Sequence, residues 1–176
     1  MIKYFAFLRA INVGGKNLIK MKDLKKIFES LGFQNVKTHI QSGNVIFETT
    51  EKSKEKIIKR TEKELHKYLS EDVLVFLRTF TEVKAIVKYN PFSKIKTAPS
   101  AKLYVSFIQE ELKKKPKLPL VSAKKDVEVI AIKSCEVYCI TVEINGRFGF
   151  PNNFVEDYFE VAATSRNWNT INKIIT

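Results

Sequence analysis

The chain has 176 residues, 44% hydrophobic and 28% charged, with a net charge of +12. That is one ordinary domain or two small lobes, with enough apolar material for a packed core, and it excludes a disordered chain. No apolar run approaches the roughly 20 residues of a membrane helix, and the N-terminal stretch has no small-residue cleavage site, so a cytoplasmic address and no membrane partner are expected.

Tyr4-Phe5-Ala6-Phe7-Leu8 is a continuous apolar run between Lys3 and Arg9, the pattern of a central strand. A loop follows over Ala10–Lys20, with Gly14-Gly15 inside it. Leu24, Ile27, Phe28 and Leu31 then fall at i, i+3, i+4 and i+7, one face of a helix that Gly32 ends. Val36–Gln41 and Asn44–Thr49 are rich in β-formers and read as a hairpin around Ser42-Gly43. A helix over 53–69 turns Ile57, Ile58, Thr61, Leu65, Tyr68 and Leu69 inward and interleaved Lys and Glu outward. Val73–Thr79 is the next strand. The order β-α-β-β-α-β is that of the ferredoxin-like plait. A connecting helix over 81–89, capped by Thr81, stops at Asn90-Pro91. Residues 91–101, with Pro91 and Pro99, read as a linker.

The second half repeats the theme. Lys102–Ile108 is a strand, and Gln109–Lys115 a short helix ended by Pro116. Val127–Lys133 and Val137–Ile144 form a hairpin, Asn145-Gly146 turns the chain, and helices follow over Asn153–Val161 and Arg166–Ile175. The last of these turns Trp168, Ile171, Ile174 and Ile175 inward. The element order therefore suggests an internal duplication. The expected fold is α+β: two plait-like lobes with antiparallel sheets and helices on one face. The N-terminal lobe spans 1–80, a connecting helix and linker 81–101, and the C-terminal lobe 102–176.

Charge is uneven along the chain. Residues 1–47 hold eight basic and two acidic residues, a net +6. Such a field attracts polyanions, although a lysine-rich surface also accumulates for solubility alone. In a plait the first two strands run parallel through a right-handed crossover, so the loop leaving the first and the turn leaving the second open at one end of the sheet. The third strand starts at that end. Arg9, Asn12, Gly14, Gly15 and Lys16 are thus expected near Gln41, Ser42, Gly43 and Asn44. Two cations, glycines that allow close approach and several neutral donors suit an anion, phosphate foremost. The structural alternative is that Gly14-Gly15 only turns the chain and the polar groups cap it. Neither the phosphate loop nor the dinucleotide fingerprint is present.

Arg166-Asn167-Trp168-Asn169 offers a planar cation, amides and the only tryptophan, groups that stack on and hydrogen-bond a base or sugar. The alternative is again structural: Ser165 capping the last helix, Trp168 in the core and the amides tying down loops. Arg147-Phe148-Gly149-Phe150 imitates the RNA-recognition consensus with the wrong spacing. Cys135 and Cys139, four apart, would lie about 13 Å apart on a strand, too far for a disulfide, and read as small buried apolar side chains. His39 and His66 are distant in sequence, so neither a metal site nor a cofactor is implied. His39 has no acid to orient it, His66 reads as solvated, and no catalytic residue is identified. The run Lys113-Lys114-Lys115-Pro116-Lys117 reads as an exposed loop in preference to a nucleic-acid arm.

LRAINVGGKN at 8–17, LGF at 31–33, IQSGNVIF at 40–47, NPF at 90–92 and RNWNT at 166–170 resemble, in this order, the signature blocks of a bacterial family of unknown function, numbered 1697. The resemblance runs nearly end to end. The family carries Gly where this chain has Ala10 and Tyr where it has His39; the second departure counts against His39 as a catalytic base. The resemblance implies a two-lobed α+β architecture and no established activity. Three function classes follow from the residues: a non-catalytic binder of nucleic acid or nucleotide through a basic cleft, an enzyme acting on a small phosphorylated metabolite, and a protein-interaction module. The leading expectation is the binder, with nucleic acid or a phosphorylated small molecule as its partner. The oligomeric state is not legible.

Overall fold

The computed structural model describes residues 1–12, 17–39 and 43–175. They form an α+β chain with antiparallel sheets and five helices, divided into two compact units, Met1–Ala85 and Ile86–Thr176.

The first unit runs β1 (Ile2–Leu8), α1 (Met21–Ser30), β2 (Gln34–His39), β3 (Asn44–Thr49), α2 (Lys54–Leu69) and β4 (Val75–Thr79), with α3 (Phe80–Tyr89) leaving it. Its sheet order is β2-β3-β1-β4, every neighbouring pair antiparallel. The apolar stripe of α1 buries Leu24, Ile27 and Phe28, and α2 buries Ile57, Thr61 and Leu65. Their apolar residues join Tyr4, Ala6, Leu8, Val45, Phe47, Val75 and Leu77 in one core. Phe33 stacks on Phe47 at 4.4 Å, so the aromatic that follows the helix-ending glycine closes the same core. Tyr68 is an exception among the expected inward positions of α2: it is 53% exposed.

The second unit runs β5 (Lys102–Ile108), β6 (Leu120–Val121), β7 (Val127–Lys133), β8 (Glu136–Thr141), β9 (Glu143–Ile144), β10 (Arg147–Phe148), α4 (Pro151–Phe159), β11 (Ala163–Asn167) and α5 (Trp168–Ile175). Its main sheet has the order β11-β5-β8-β7-β6, again antiparallel throughout. Three expectations need correcting. Gln109–Lys115 is not a helix. Its Glu and Lys favour helix, but Leu112 alone gives it no apolar stripe to bury, and a short helix without a packed face is unstable in water. Residues 163–167, unread in the sequence, form strand β11, so the final helix starts at Trp168 and not at Arg166. Asn145-Gly146 does turn the chain, but between the short strands β9 and β10, which take over where β8 stops at Thr141. Helices also do not keep to one face of each sheet. In the first unit Phe80 of α3 stacks on Phe5, which points away from the helix-covered core. In the second, α4 contributes Val155 to the core with Val137 and Cys139, whereas Trp168 of α5 meets Tyr138 from the opposite face.

The two sheets share a strand order: β2-β3-β1-β4 of the first corresponds to β7-β8-β5-β11 of the second, with β6 added at the edge. Phe5 pairs with Ile46 and Arg78, and Val105 pairs with Tyr138 and Arg166. Leu8 N–H donates to the Gly43 carbonyl at 2.8 Å, and Ile108 N–H to the Cys135 carbonyl at 3.0 Å. Each unit has a register irregularity at the matching place, between Gln34 and Lys37 and between Val129 and Ala131. The carboxylate of Glu62 accepts the Val75 N–H at 2.9 Å, and that of Glu156 the Ala163 N–H at 2.8 Å, each pinning a helix to the first residue of a sheet-edge strand. The two units thus resemble each other in register and in individual side chains, although the second lacks the helix expected at 109–115.

Candidate anion-binding rim of the first unit

β1 ends where three segments meet. Leu8 N–H is held by Gly43 as above, and Arg9 N–H donates to the Leu74 carbonyl at 2.9 Å, just before β4. Phe7 pairs with Asn44, which also pairs with His39. The crossover argument therefore brings Arg9, Gly43 and Asn44 to one end of the sheet. Gly43 has φ +69, and a Cβ built on it would lie 3.0 Å from Leu8 Cβ and 3.1 Å from Ile11 Cβ. Only glycine lets the hairpin approach this closely.

The loop after Arg9 is closed on itself. Asn12 Nδ2 donates to the Ile19 carbonyl at 3.0 Å, and its Oδ1 accepts the Ile19 N–H at 2.8 Å. Asn17 Nδ2 donates to the Ala10 carbonyl at 3.1 Å. Ala10, Asn12 and Asn17 all have left-handed backbones, with φ of 58, 55 and 50°. Asparagine tolerates that region, and alanine adopts it only at a cost. Ile11 and Ile19 anchor the loop in the core. The loop delivers the chain to α1, whose N-cap is Lys20 with no side-chain cap. Its first turn carries Lys22, exposed like Lys20, and one acid, Asp23.

Among the predicted residues, Arg9 and Asn12 are half-buried at this rim, and Gly43 is buried. Asn44 is 1% exposed, and its amide donates to the His39 carbonyl at 3.1 Å, so it holds the hairpin together from inside. Gly14, Gly15, Lys16, Gln41 and Ser42 lie outside the described residues.

Arg166 to Asn169 belong to the second unit and do structural work there. Arg166 is 7% exposed; its Nη1 donates to Thr164 Oγ1 at 2.7 Å and to the Ser165 carbonyl at 2.9 Å. Burial lowers its pKa to about 10, which leaves it charged at neutral pH. Asn167 Oδ1 accepts the Asn169 N–H at 2.9 Å and so starts α5, the capping role the sequence assigned to Ser165. Trp168 packs against Phe92 at 5.2 Å. Asn169 is exposed. The same device occurs in the first unit at Arg78-Thr79-Phe80, where buried Arg78 donates to the Leu77 carbonyl at 2.9 Å.

Sequence reasoning missed the cap of α3. Thr79, not Thr81, caps it: Glu82 N–H donates to Thr79 Oγ1, and Glu82 accepts from Thr79 N–H at 2.7 Å. The T-x-x-E spacing was the available signal. Lys54 reaches the same carboxylate at 2.6 Å. His66 is exposed, as read, but its Nδ1 lies 2.9 Å from Asp72. Cys139 is buried, and burial pushes its thiol up to about 12. Cys135 is only half-buried, at the hairpin turn. Among the described residues no helix is long and apolar enough to cross a membrane.

Fold and rim define an α+β protein of two similar units, the first bringing Arg9, Gly43 and Asn44 to one end of its sheet. The chain belongs to the family "Protein of unknown function (DUF1697)", whose pattern matches residues 1–138. Among solved structures it is similar to the conserved bacterial protein SP0830 from Streptococcus pneumoniae, with 19% identity and a TM-score of 0.65 over 99% of this chain and 97% of that one. At that identity the likeness shows the fold. No curated protein matches.

Proposed function

We propose that the protein is a non-catalytic binder of phosphate-containing ligands, nucleic acid or nucleotide, and that the first unit makes the contact. The observation that carries this is the coincidence of charge and geometry: the net +6 of residues 1–47 falls on the unit whose rim presents Arg9 and the uncapped, lysine-flanked start of α1. The positive end of a helix dipole and nearby lysines favour phosphate oxygens, and Asp23 opposes them only in part. The sheet order supports the further reading that each unit is a ferredoxin-like plait, joined through 81–101, and the basic composition suits a cytoplasmic protein that meets nucleic acid.

The test is salt-titrated binding to mixed-sequence RNA and DNA. Affinity should fall steeply with salt, because each neutralised phosphate releases counterions. A Lys20→Glu/Lys22→Glu variant should flatten the slope of log K against log salt by about 2 if both lysines touch phosphate. Binding no tighter than that of an unrelated protein of equal charge would overturn the reading. Affinity for one small phosphorylated compound and none for polymers would favour an enzyme instead.

A further inference from the structure

The duplication exposes a difference between the units. In the first, the chain between β1 and β2 folds into α1, which buries three side chains on the sheet beside α2. In the second, the matching chain from Gln109 onward stays irregular until β6. Beside α4 it leaves a cleft of about 870 Å³, within the range of small-molecule sites. Everything lining it lies in the second unit, so the cleft is independent of the rim described above.

Its walls carry three kinds of chemistry. Leu112, Phe159 and Val161 are half-buried apolar groups that also pack on the core. The Tyr158 ring, 50% exposed, is braced against Phe159 at 5.0 Å and Phe154 at 5.9 Å, so it stands at the wall as a fixed aromatic face. Lys113, Lys114 and Lys115 line one side, while Glu110, Glu111 and Glu160 supply carboxylates. The lysines suit a phosphate, the ring suits a planar base, and carboxylates accept from sugar hydroxyls. The three acids also disfavour a long polyanion, which points to a small ligand and away from a nucleic-acid strand.

We infer that this cleft of the second unit is a nucleoside monophosphate site, with the base on Tyr158, the phosphate on the 113–115 lysines and the sugar on the glutamates. The molecule carries its own reporter. Cys135 is half-buried, and its thiol donates to the carbonyl of Gln109, a lining residue, at 3.8 Å. The second cysteine, Cys139, is buried and unreactive. Thiol labelling at Cys135 therefore responds to the chain at Gln109, the first lining residue.

The experiment uses the full chain with adenosine 5′-monophosphate, adenosine and inorganic phosphate, read by calorimetry and by the rate of maleimide labelling at Cys135. The monophosphate should bind saturably and slow labelling, with adenosine and phosphate each weaker. Tyr158→Ala should weaken binding roughly tenfold or more, as loss of a stacking partner does. Lys113→Glu/Lys114→Glu should do the same, with circular dichroism confirming that both variants fold. Lys20→Glu/Lys22→Glu in the first unit should lower monophosphate binding less than either second-unit variant does. The inference fails if millimolar monophosphate neither binds nor protects, if phosphate alone protects equally, or if both second-unit variants bind as the parent does. Loss of monophosphate binding in the first-unit variant alone would place the ligand at the rim, overturning this site and sparing the reading above.

Discussion

Gly43→Ala tests the geometry on which the rim depends. Two costs add. At φ +69 an L-residue loses roughly 1–2 kcal/mol relative to glycine. The new methyl would also sit 3.0 Å from Leu8 Cβ and 3.1 Å from Ile11 Cβ. These are Cβ atoms of residues 1% exposed, fixed by the backbone, so neither can swing aside. Overpacking of that kind costs typically about 1–3 kcal/mol. The sum is about 2–5 kcal/mol, which at a urea slope of about 2 kcal/mol/M lowers the unfolding midpoint by roughly 1–2.5 M. Gly32 supplies the control. Its φ is +80, but nothing lies within 4 Å of a Cβ built there, so Gly32→Ala carries the backbone cost alone. Paired urea melts followed by far-ultraviolet circular dichroism isolate the steric part as the difference. If Gly43→Ala is no worse than Gly32→Ala, the hairpin does not approach β1 as closely as described, and the convergence of Arg9 with the 43–44 turn is lost with it.

Two further outcomes follow from the same contacts. Burial works to raise the Glu82 pKa, but the hydrogen bonds from Lys54 and Thr79 outweigh it and hold the carboxyl below its ordinary value. A carboxylate with a lowered folded pKa stabilises above its unfolded pKa and loses that contribution as pH falls through the folded one. The destabilisation caused by Glu82→Gln, about 1 kcal/mol at neutral pH, should therefore shrink toward pH 3 in urea melts, and an unchanged gap across that range would refute the assignment. Ala10→Gly relieves a left-handed alanine at φ 58 but adds freedom to the unfolded chain, so it should stabilise by about 0.5 kcal/mol, and a clear loss of stability would contradict the loop geometry.

What was legible in the sequence was whatever announces itself by period or by punctuation. The stripe of Leu24, Ile27 and Phe28 marks α1, and the crossover rule is enough to bring Arg9 to the 43–44 turn. β11 was illegible because Ala163-Thr164-Ser165-Arg166-Asn167 has no apolar alternation. Its central polar side chains are satisfied from within: Ser165 shares a hydrogen bond with Ser106 at 2.7 Å, and Arg166 bonds Thr164. Pattern reasoning treats buried polar residues as surface, and it misplaced Asn44 and Arg166 for one reason. Each looks like a ligand-seeking group, and each is buried with backbone acceptors of its own.

The two units share strand register and differ in the surfaces they carry. What they share lies where strands end: the Glu62 and Glu156 pins, the Arg78 and Arg166 bonds to the preceding carbonyl, and the matching irregularity beside the hairpin. These contacts fix register, and a register slip would turn every buried side chain of a strand to the wrong face, so neither half can lose them. The chain between the first two strands of each unit carries no such duty. In the first unit it is a helix whose buried face seals the core and whose start carries lysines; in the second, Leu112 and Leu118 cover the core from irregular chain and Leu120 from the start of β6. Covering a sheet with three half-buried leucines leaves room that a helix would fill. The open cleft beside Tyr158 is a direct consequence of that substitution, and the place to look for chemistry in which the two units differ is therefore this segment and not the strands.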